Sequence, residues 1–439
     1  MIGAARSGLA VARLLRAHKM PVFVSDAKPT KTMKAAADAL TEMGATFEFG
    51  RHTAKVQDND VVVLSPGVPS DLPVVRLAKQ RNMTVLSEIE IAYQYCPCAV
   101  VAITGTNGKT TTTALTAAIC EHAGRTTFAA GNIGLAFSEI VDKADANSIV
   151  VLEVSSFQLD HIDEFRPKVS VLLNITPDHL DRYDSYEEYV QAKFRIAENQ
   201  LGRDVFVYNY DDPAVRAFAD TLTIKATPFS CNEKVHGGAC LDEGMIMMAA
   251  GRRMEPLMPV AELGLRGKHN VYNSMAAALA AKAMDVPLEA IKETLRAFKG
   301  VEHRIEFVRT LDGVGYYNDS KATNVDSVKI ALESFSESVV LIAGGRDKGA
   351  SYKPLFDLVK NGVKALILIG EATEKIEKEL GGATKCIKAG SMADAVHKAK
   401  AKAAEGDVVL LSPACASYDM FDNFEHRGRV FKECVNALS

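Results

Sequence analysis

The chain has 439 residues, a formal net charge of −4, 48% hydrophobic and 24% charged residues. That length exceeds what one hydrophobic core organises, so three domains of ordinary globular composition are expected. The charge gives no basic footprint of a nucleic-acid binder, so nucleic acid is not an expected partner; a monomer is the expected state.

Eight cysteines are scattered along the chain; Cys96 and Cys98 are separated by one residue, which is not a metal-knuckle spacing, so reduced cytosolic thiols are expected. The start lacks the apolar core of a signal peptide, and no apolar run approaches the ~20 residues of a membrane span. A cytoplasmic protein without a membrane span is the expectation.

In chain order, β-branched runs at Val22–Ser25, Val61–Ser65, Val100–Thr104, Ser148–Glu153, Val169–Asn174, Val339–Ala343, Ala365–Gly370 and Asp407–Ser412 alternate with loops and helical patterns. The alternation predicts an α/β chain of parallel sheets, with chemistry in the loops that follow the strands. Boundaries are placed near Ser87 and near Gly300, giving domains 1–87, 88–300 and 301–439. The first opens with Gly3-Ala4-Ala5-Arg6-Ser7-Gly8 before a helix, and Asp26 follows a strand. Ala5 stands where a dinucleotide fingerprint needs its middle glycine, which argues against a nicotinamide site. Only Met1 and Ile2 remain of the strand that precedes Gly3, so neighbouring strands are expected to lack a partner and the domain to be destabilised.

The strongest motif is Gly105-Thr106-Asn107-Gly108-Lys109-Thr110-Thr111, between a strand and a helix. Its backbone N–H groups and helix N-terminus suit a phosphate, Lys109 neutralises charge, and Thr110 can ligate Mg²⁺. Counted from Gly105 the loop is one residue shorter than the usual phosphate loop; counted from Thr104 the length is restored with threonine first. Glu153 ends a strand where a carboxylate can hold Mg²⁺, the alternative being a surface acid. His179 lies in another post-strand loop and is equally compatible with a structural role. Lys193 reads from composition alone as a solvated lysine.

In the last domain Arg304 of Glu302-His303-Arg304, and Lys321 of Asn318-Asp319-Ser320-Lys321-Ala322-Thr323-Asn324, can neutralise a transferring phosphate, or can be surface ion-pair residues. Later loops are Gly344–Gly349, Gly370–Thr373 and Ser412–Asp419. Cys415 has no evident base partner, and a structural role is expected for it.

Thr104–Thr111, Glu153-Val154-Ser155-Ser156 and Asn174-Ile175-Thr176-Pro177-Asp178-His179-Leu180-Asp181 together resemble the ATPase domain of the Mur ligase superfamily. The stretch Ser412–Gly428 resembles the D-glutamate-adding branch of that superfamily rather than its siblings. The resemblance implies a Rossmann-like UDP-binding first domain, a phosphate-loop central ATPase domain and a Rossmann-like last domain. It implies that Gly105, Thr106, Asn107, Gly108, Lys109, Thr110, Thr111, Asn273, Arg304 and Asp319 bind ATP. Two Mg²⁺ ions would be held by Thr110, Glu153, His179 and a carbamylated Lys193, with Lys109, Lys193, His179, Arg304 and Lys321 catalytic. Arg6, Ser7, Asp26, Ser65, Gly67 and Asn132 would contact a UDP-sugar, and Thr323, Lys348, Ser417 and Phe424 a D-glutamate. Ala27 and Lys28 stand where the superfamily often has Thr-Arg. His269-Asn270-Val271-Tyr272-Asn273 resembles its HNxxN motif, in which Asn270 is also expected to cap the following helix. The implied reaction is ATP-dependent ligation of D-glutamate to UDP-N-acetylmuramoyl-L-alanine through an acyl phosphate, a cytoplasmic step of peptidoglycan synthesis. Rival readings are a sibling ligase and a nucleotide-binding switch that forms no bond.

Overall fold

The computed structural model describes residues 1–29, 33–132, 134–177 and 182–439. They form two compact units: Met1–Leu263 with Tyr272–Arg296, and Gly264–Val271 with Ala297–Ser439. Each β-branched run named above forms a strand, with ends shifted by no more than a residue or two.

In the first unit, strands β1 (Phe23–Asp26) and β2 (Thr46–Phe49) pair in parallel, as do β3 (Val61–Leu64) and β4 (Thr84–Ser87). Met1–Gly3 lie between the pairs. Ile2 bridges Ser25 on one side and Leu64 on the other. The Ile2 N–H donates to the Val63 carbonyl at 2.8 Å, while Ser25 N–H donates to Met1 at 2.9 Å and Ser65 N–H to Ile2 at 3.0 Å. The expectation of unpartnered neighbours is therefore corrected: a two-residue segment suffices to offer N–H and C=O groups to both sides. Ile2 is also buried among Val62, Leu64 and Val75. The chain then turns at Gly3 (φ 93°) into the helix Arg6–Ala17. A Cβ on Gly8 would lie 1.9 Å from the Gly3 carbonyl oxygen, so helix and turn meet this closely only with glycine.

The larger sheet of this unit holds β5 (Ala99–Thr104), β6 (Thr127–Gly131), β7 (Ile149–Glu153), β8 (Val169–Leu172), β9 (Val205–Asn209) and β10 (Lys225–Ser230). A meander of β11 (Ala239–Asp242), β12 (Met245–Ala250) and β13 (Arg253–Pro259) extends it, in the order β13-β12-β11-β10-β9-β8-β5-β7-β6. The chain order reverses around β5, which pairs in parallel with both β7 and β8, so the loop after β5 opens at a topological switch point. In the second unit β14 (Glu306–Leu311), β15 (Val314–Asn318), β16 (Val339–Gly344), β17 (Val363–Ile369), β18 (Cys386–Lys388) and β19 (Val408–Leu411) form a sheet ordered β14-β15-β19-β16-β17-β18. Leu341, Leu366 and Leu410 face Val328 and Val359 on one side; Ile342, Ile367 and Val409 face Val396 and Phe431 on the other. Burial on both faces explains the unbroken apolar runs. No helix among the described residues is long and apolar enough to cross a membrane.

Candidate active site

The helix Lys109–His122 starts from Gly108, whose φ of 85° suits glycine. A Cβ there would come within 2.4 Å of Asn273 Oδ1, so the loop also depends on glycine for its packing against Asn273. Asn273 Oδ1 in turn accepts from the Thr112 hydroxyl at 3.2 Å. The loop after β8 fixes the other side. Asn107 N–H donates to Asn174 Oδ1 at 2.8 Å, and Asn174 Nδ2 returns a bond to the Asn107 carbonyl at 3.1 Å. The Thr106 hydroxyl bonds the Thr176 carbonyl at 3.1 Å and the Tyr189 hydroxyl at 3.0 Å. Lys109 Nζ lies back over the loop, donating to the carbonyls of Gly105 and Thr106, each at 2.8 Å. Thr110 and Thr111 are buried in the first turn of the helix.

Lys193 is buried, and its Nζ donates to the Gly105 carbonyl at 2.9 Å while lying 4.6 Å from the centre of the Tyr189 ring. The reading of a solvated lysine is thus corrected, because the helix Tyr186–Phe194 turns this residue inward. Two cationic side chains share one carbonyl acceptor, an arrangement in which like charges repel. Glu153 is likewise buried rather than a surface acid. Its Oε1 accepts from Asn132 Nδ2 at 3.0 Å, whereas Oε2 is buried without a hydrogen-bond partner among the described residues. An orphaned buried carboxylate oxygen beside a phosphate loop fits a Mg²⁺ ligand, since a hard cation takes such oxygens. His179 lies outside the described residues.

Asn270 does not cap its helix. The helix Lys268–Ala283 begins earlier, after Gly267 turns the chain at φ 93°, and Asn270 Nδ2 bonds the Arg266 carbonyl at 2.7 Å.

In the second unit Arg304 and Asp319 are neighbours. Asp319 is buried, accepts from the Ser412 hydroxyl at 2.8 Å and from the Ile305 N–H at 3.2 Å. Burial pushes its carboxyl up to about 7, against the opposing pull of Arg304 and Ser412. Arg304 Nε is buried without a partner among the described residues. His303 Nδ1 faces Asn318 Nδ2 at 2.9 Å and accepts from the amide, and burial lowers the pKa of the imidazole against the opposing pull of Glu302 and Glu306. Glu302, His303 and Glu306 could converge on a metal, yet Lys432 Nζ already stands 2.6 Å from Glu302 and 2.9 Å from Glu306.

Lys321 lies 5.7 Å from the centre of the Phe424 ring, and Thr323 follows on the same turn. Ser417 is buried, and the bridge between Arg346 and Ala416 brings the loop of the exposed Lys348 alongside it. Sequence reasoning assigned no role to Arg427, which is fully buried. Its guanidinium donates to the Ser320 hydroxyl at 3.0 Å, the Ser320 carbonyl at 2.8 Å and the Cys415 carbonyl at 3.1 Å, joining the loop after β15 to the loop after β19. An arginine in an otherwise apolar helix face was the available signal. Cys415 is buried with its thiol pushed up and set against the Tyr352 hydroxyl at 3.1 Å, in keeping with a structural role.

Of the amino-terminal residues, Asp26 accepts from the N–H groups of Ala4 at 2.8 Å and Lys28 at 2.9 Å, while Ser65 is buried against Gly3. Arg6 and Ser7 occupy the first turn of the helix Arg6–Ala17, which has no side-chain cap, and Arg6 Nε is 3.8 Å from Glu139. Arg182, also unassigned from sequence, donates to the carbonyls of Pro66 and Gly67, both at 3.1 Å, and covers the Phe157 ring at 4.7 Å. It ties the Ser65–Gly67 loop to the chain that follows β8.

Family models match three stretches: the MurD N-terminal domain at residues 1–74, the Mur ligase middle domain at 103–281, and the Mur ligase glutamate ligase domain at 303–415. The UDP-N-acetylmuramoylalanine--D-glutamate ligase of Salinibacter ruber is 49% identical, covering 100% of this chain and 97% of that protein. The enzyme of the same name from Geotalea uraniireducens is 46% identical with the same coverage, 100% and 97%. The fold is that of the UDP-N-acetylmuramate-alanine ligase of Thermotoga maritima, at TM-score 0.62 and 20% identity over 99% of this chain and 98% of that one. A pseudomurein peptide ligase type C from Methanothermus fervidus also shares it, at TM-score 0.61 and 20% identity over 100% and 99%. With a phosphate loop after β5, an acidic residue ending β7 and full-length identity near one half, this chain belongs to the Mur ligase family, in the branch that carries the MurD N-terminal domain.

Proposed function

We propose that the chain ligates D-glutamate to UDP-N-acetylmuramoyl-L-alanine with consumption of ATP, a cytoplasmic step of peptidoglycan precursor synthesis. Full-length identity of 49% to a ligase of that name supports the substrates. The orphaned Oε2 of Glu153, beside a loop whose Gly105 carbonyl takes both Lys109 and Lys193, carries the chemical half of the reading. We divide the chain into a UDP-sugar domain (1–87), an ATP domain (88–300) and an amino-acid domain (301–439).

Gly105–Thr111 and Asn273 bind ATP, with Lys109 released from its carbonyls to meet the phosphates. Thr110 and Glu153 would hold one Mg²⁺; His179 and a carbamylated Lys193 would hold a second. When bound, the ions spread the charge of the transferring phosphoryl group. Carbamylation suits Lys193 because it removes one of two like charges at Gly105. Arg304, Lys321 and Asp319 serve the phosphoryl group. Arg6, Ser7, Asp26, Ser65, Gly67 and Asn132 orient the UDP-sugar so that its terminal carboxylate accepts phosphate. Thr323, Lys348, Ser417 and Phe424 hold D-glutamate, whose amine attacks the acyl phosphate; amide, ADP and phosphate leave.

The deciding experiment is ADP release with UDP-N-acetylmuramoyl-L-alanine, ATP and Mg²⁺, comparing D-glutamate with L-glutamate, L-alanine and diaminopimelate. Release with D-glutamate alone is expected; release with another amino acid instead, or with none, overturns the assignment.

A further inference from the structure

Cys96 ends the helix Glu88–Tyr95 and Cys98 immediately precedes β5, with Pro97 between them. Their sulfurs lie 3.6 Å apart, and both thiols are half-buried rather than sealed. They open into a cavity of about 650 Å³ that is also lined by Arg166, Lys168 and Arg203. Of these cations Arg166 is neutralised by Asp204 at 2.7 Å, and Glu164 is the other acid of the lining. The pair lacks what a metal site needs. Among the described residues the group of three or more His, Cys, Asp or Glu donors that converge is Glu302, His303 and Glu306, so no third donor joins the two sulfurs.

We propose that Cys96 and Cys98 form a reversible redox site that reacts with small, carboxylate-bearing disulfides. Cys96 attacks one sulfur of the disulfide RSSR; the S–S bond breaks, RSH leaves after taking up a proton, and a Cys96–S–S–R mixed disulfide forms. Cys98 then gives up its proton and attacks the Cys96 sulfur, expelling the second RSH. The two protein thiols lose two hydrogens and two electrons, and RSSR gains them as two RSH. The order of attack follows from the pair itself: the hydrogen bond between the thiols brings Cys96 down to about 7 while Cys98 is pushed up. Lys168 and Arg203 give the cavity cationic groups toward an anionic disulfide. Closure would brace the helix Glu88–Tyr95 against the start of the strand whose far end carries the phosphate loop.

The test is to expose the full chain to glutathione disulfide at neutral pH, quench with N-ethylmaleimide at intervals and measure thiol-containing peptides by mass spectrometry. The peptide with Cys96 and Cys98 should lose two hydrogens roughly tenfold faster than Cys386 or Cys434 is modified, as a partly ionised thiol with a resolving neighbour reacts. Cys98→Ser should stop at a persistent glutathionyl adduct on Cys96. Lys168→Gln with Arg203→Gln should slow the reaction with glutathione disulfide but not with neutral bis(2-hydroxyethyl) disulfide. The proposal is overturned if the native pair keeps both thiols while Cys434 is modified, if the adduct forms on Cys98→Ser no faster than on Cys386, or if the two disulfides respond alike to the charge changes.

Discussion

Glycine 108 shows how one hydrogen in place of a side chain sets a site. Gly108→Ala would force a Cβ to within 2.4 Å of Asn273 Oδ1 at a φ of 85°, so ATP-dependent turnover should fall by at least about tenfold while the unfolding temperature moves little. Equal kinetics in mutant and parent would contradict the packing argument. Asp319 makes a prediction about pH. Its carboxyl is raised by burial from 3.8 to about 7, so the folded chain keeps a proton that the unfolded chain has given up. Stability from this group is complete below about pH 4 and drains away as the pH climbs to about 7. Asp319→Asn should flatten that decline, read as the urea midpoint between about pH 5 and about pH 8; parallel profiles would remove Asp319 as its source. Residues of this kind divide sharply in legibility. Lys109 was readable because its spacing within a glycine loop has few meanings. Lys193 was not, because burial depends on which way the helix Tyr186–Phe194 turns, and the carbonyl it meets, that of Gly105 after β5, is distant in sequence.

Elements repeat the lesson with hydrogen bonds in place of side chains. The β-branched runs were legible because strands covered on both faces, such as β16, β17 and β19, need apolar residues at every position. The meander β11–β13 was not, since its mixed Met, Ala and Glu content carries no clear period. The segment Met1–Gly3 was misjudged because residue number was weighed without the bonds those residues make. Ile2→Ala should therefore cost about 2–4 kcal/mol, measured by denaturant unfolding and by faster hydrogen exchange in both β1 and β3. Exchange that quickens in neither strand would show that the segment is ornamental. Arg182 links loops after β3 and β8, and Arg182→Met should raise the KM for the UDP-sugar several-fold with a smaller change in kcat. A pure kcat loss would mean that the bond serves the ATP side instead.

For the whole molecule, ligand linkage offers a check that needs no turnover. A ligand that binds only the folded chain stabilises it by about 2.7 kcal/mol at a hundred times its Kd. ATP with Mg²⁺ and the UDP-sugar should each raise the melting temperature, and Lys109→Ala should erase the first shift and keep the second. Loss of both would mean that the two ligands do not bind through separate residues. The buried guanidinium of Arg427 has a different kind of consequence, for protein engineering. It joins the Ser412–Gly428 stretch to Ser320, and a Cβ at Gly428 would lie 2.2 Å from His303 Nδ1. A chimera that transplants this terminal stretch to alter amino-acid preference would thus inherit half of an interlocked joint. A graft that carries residues 302–323 along with 412–428 keeps both halves of that joint, and it is expected to fold where the shorter graft does not.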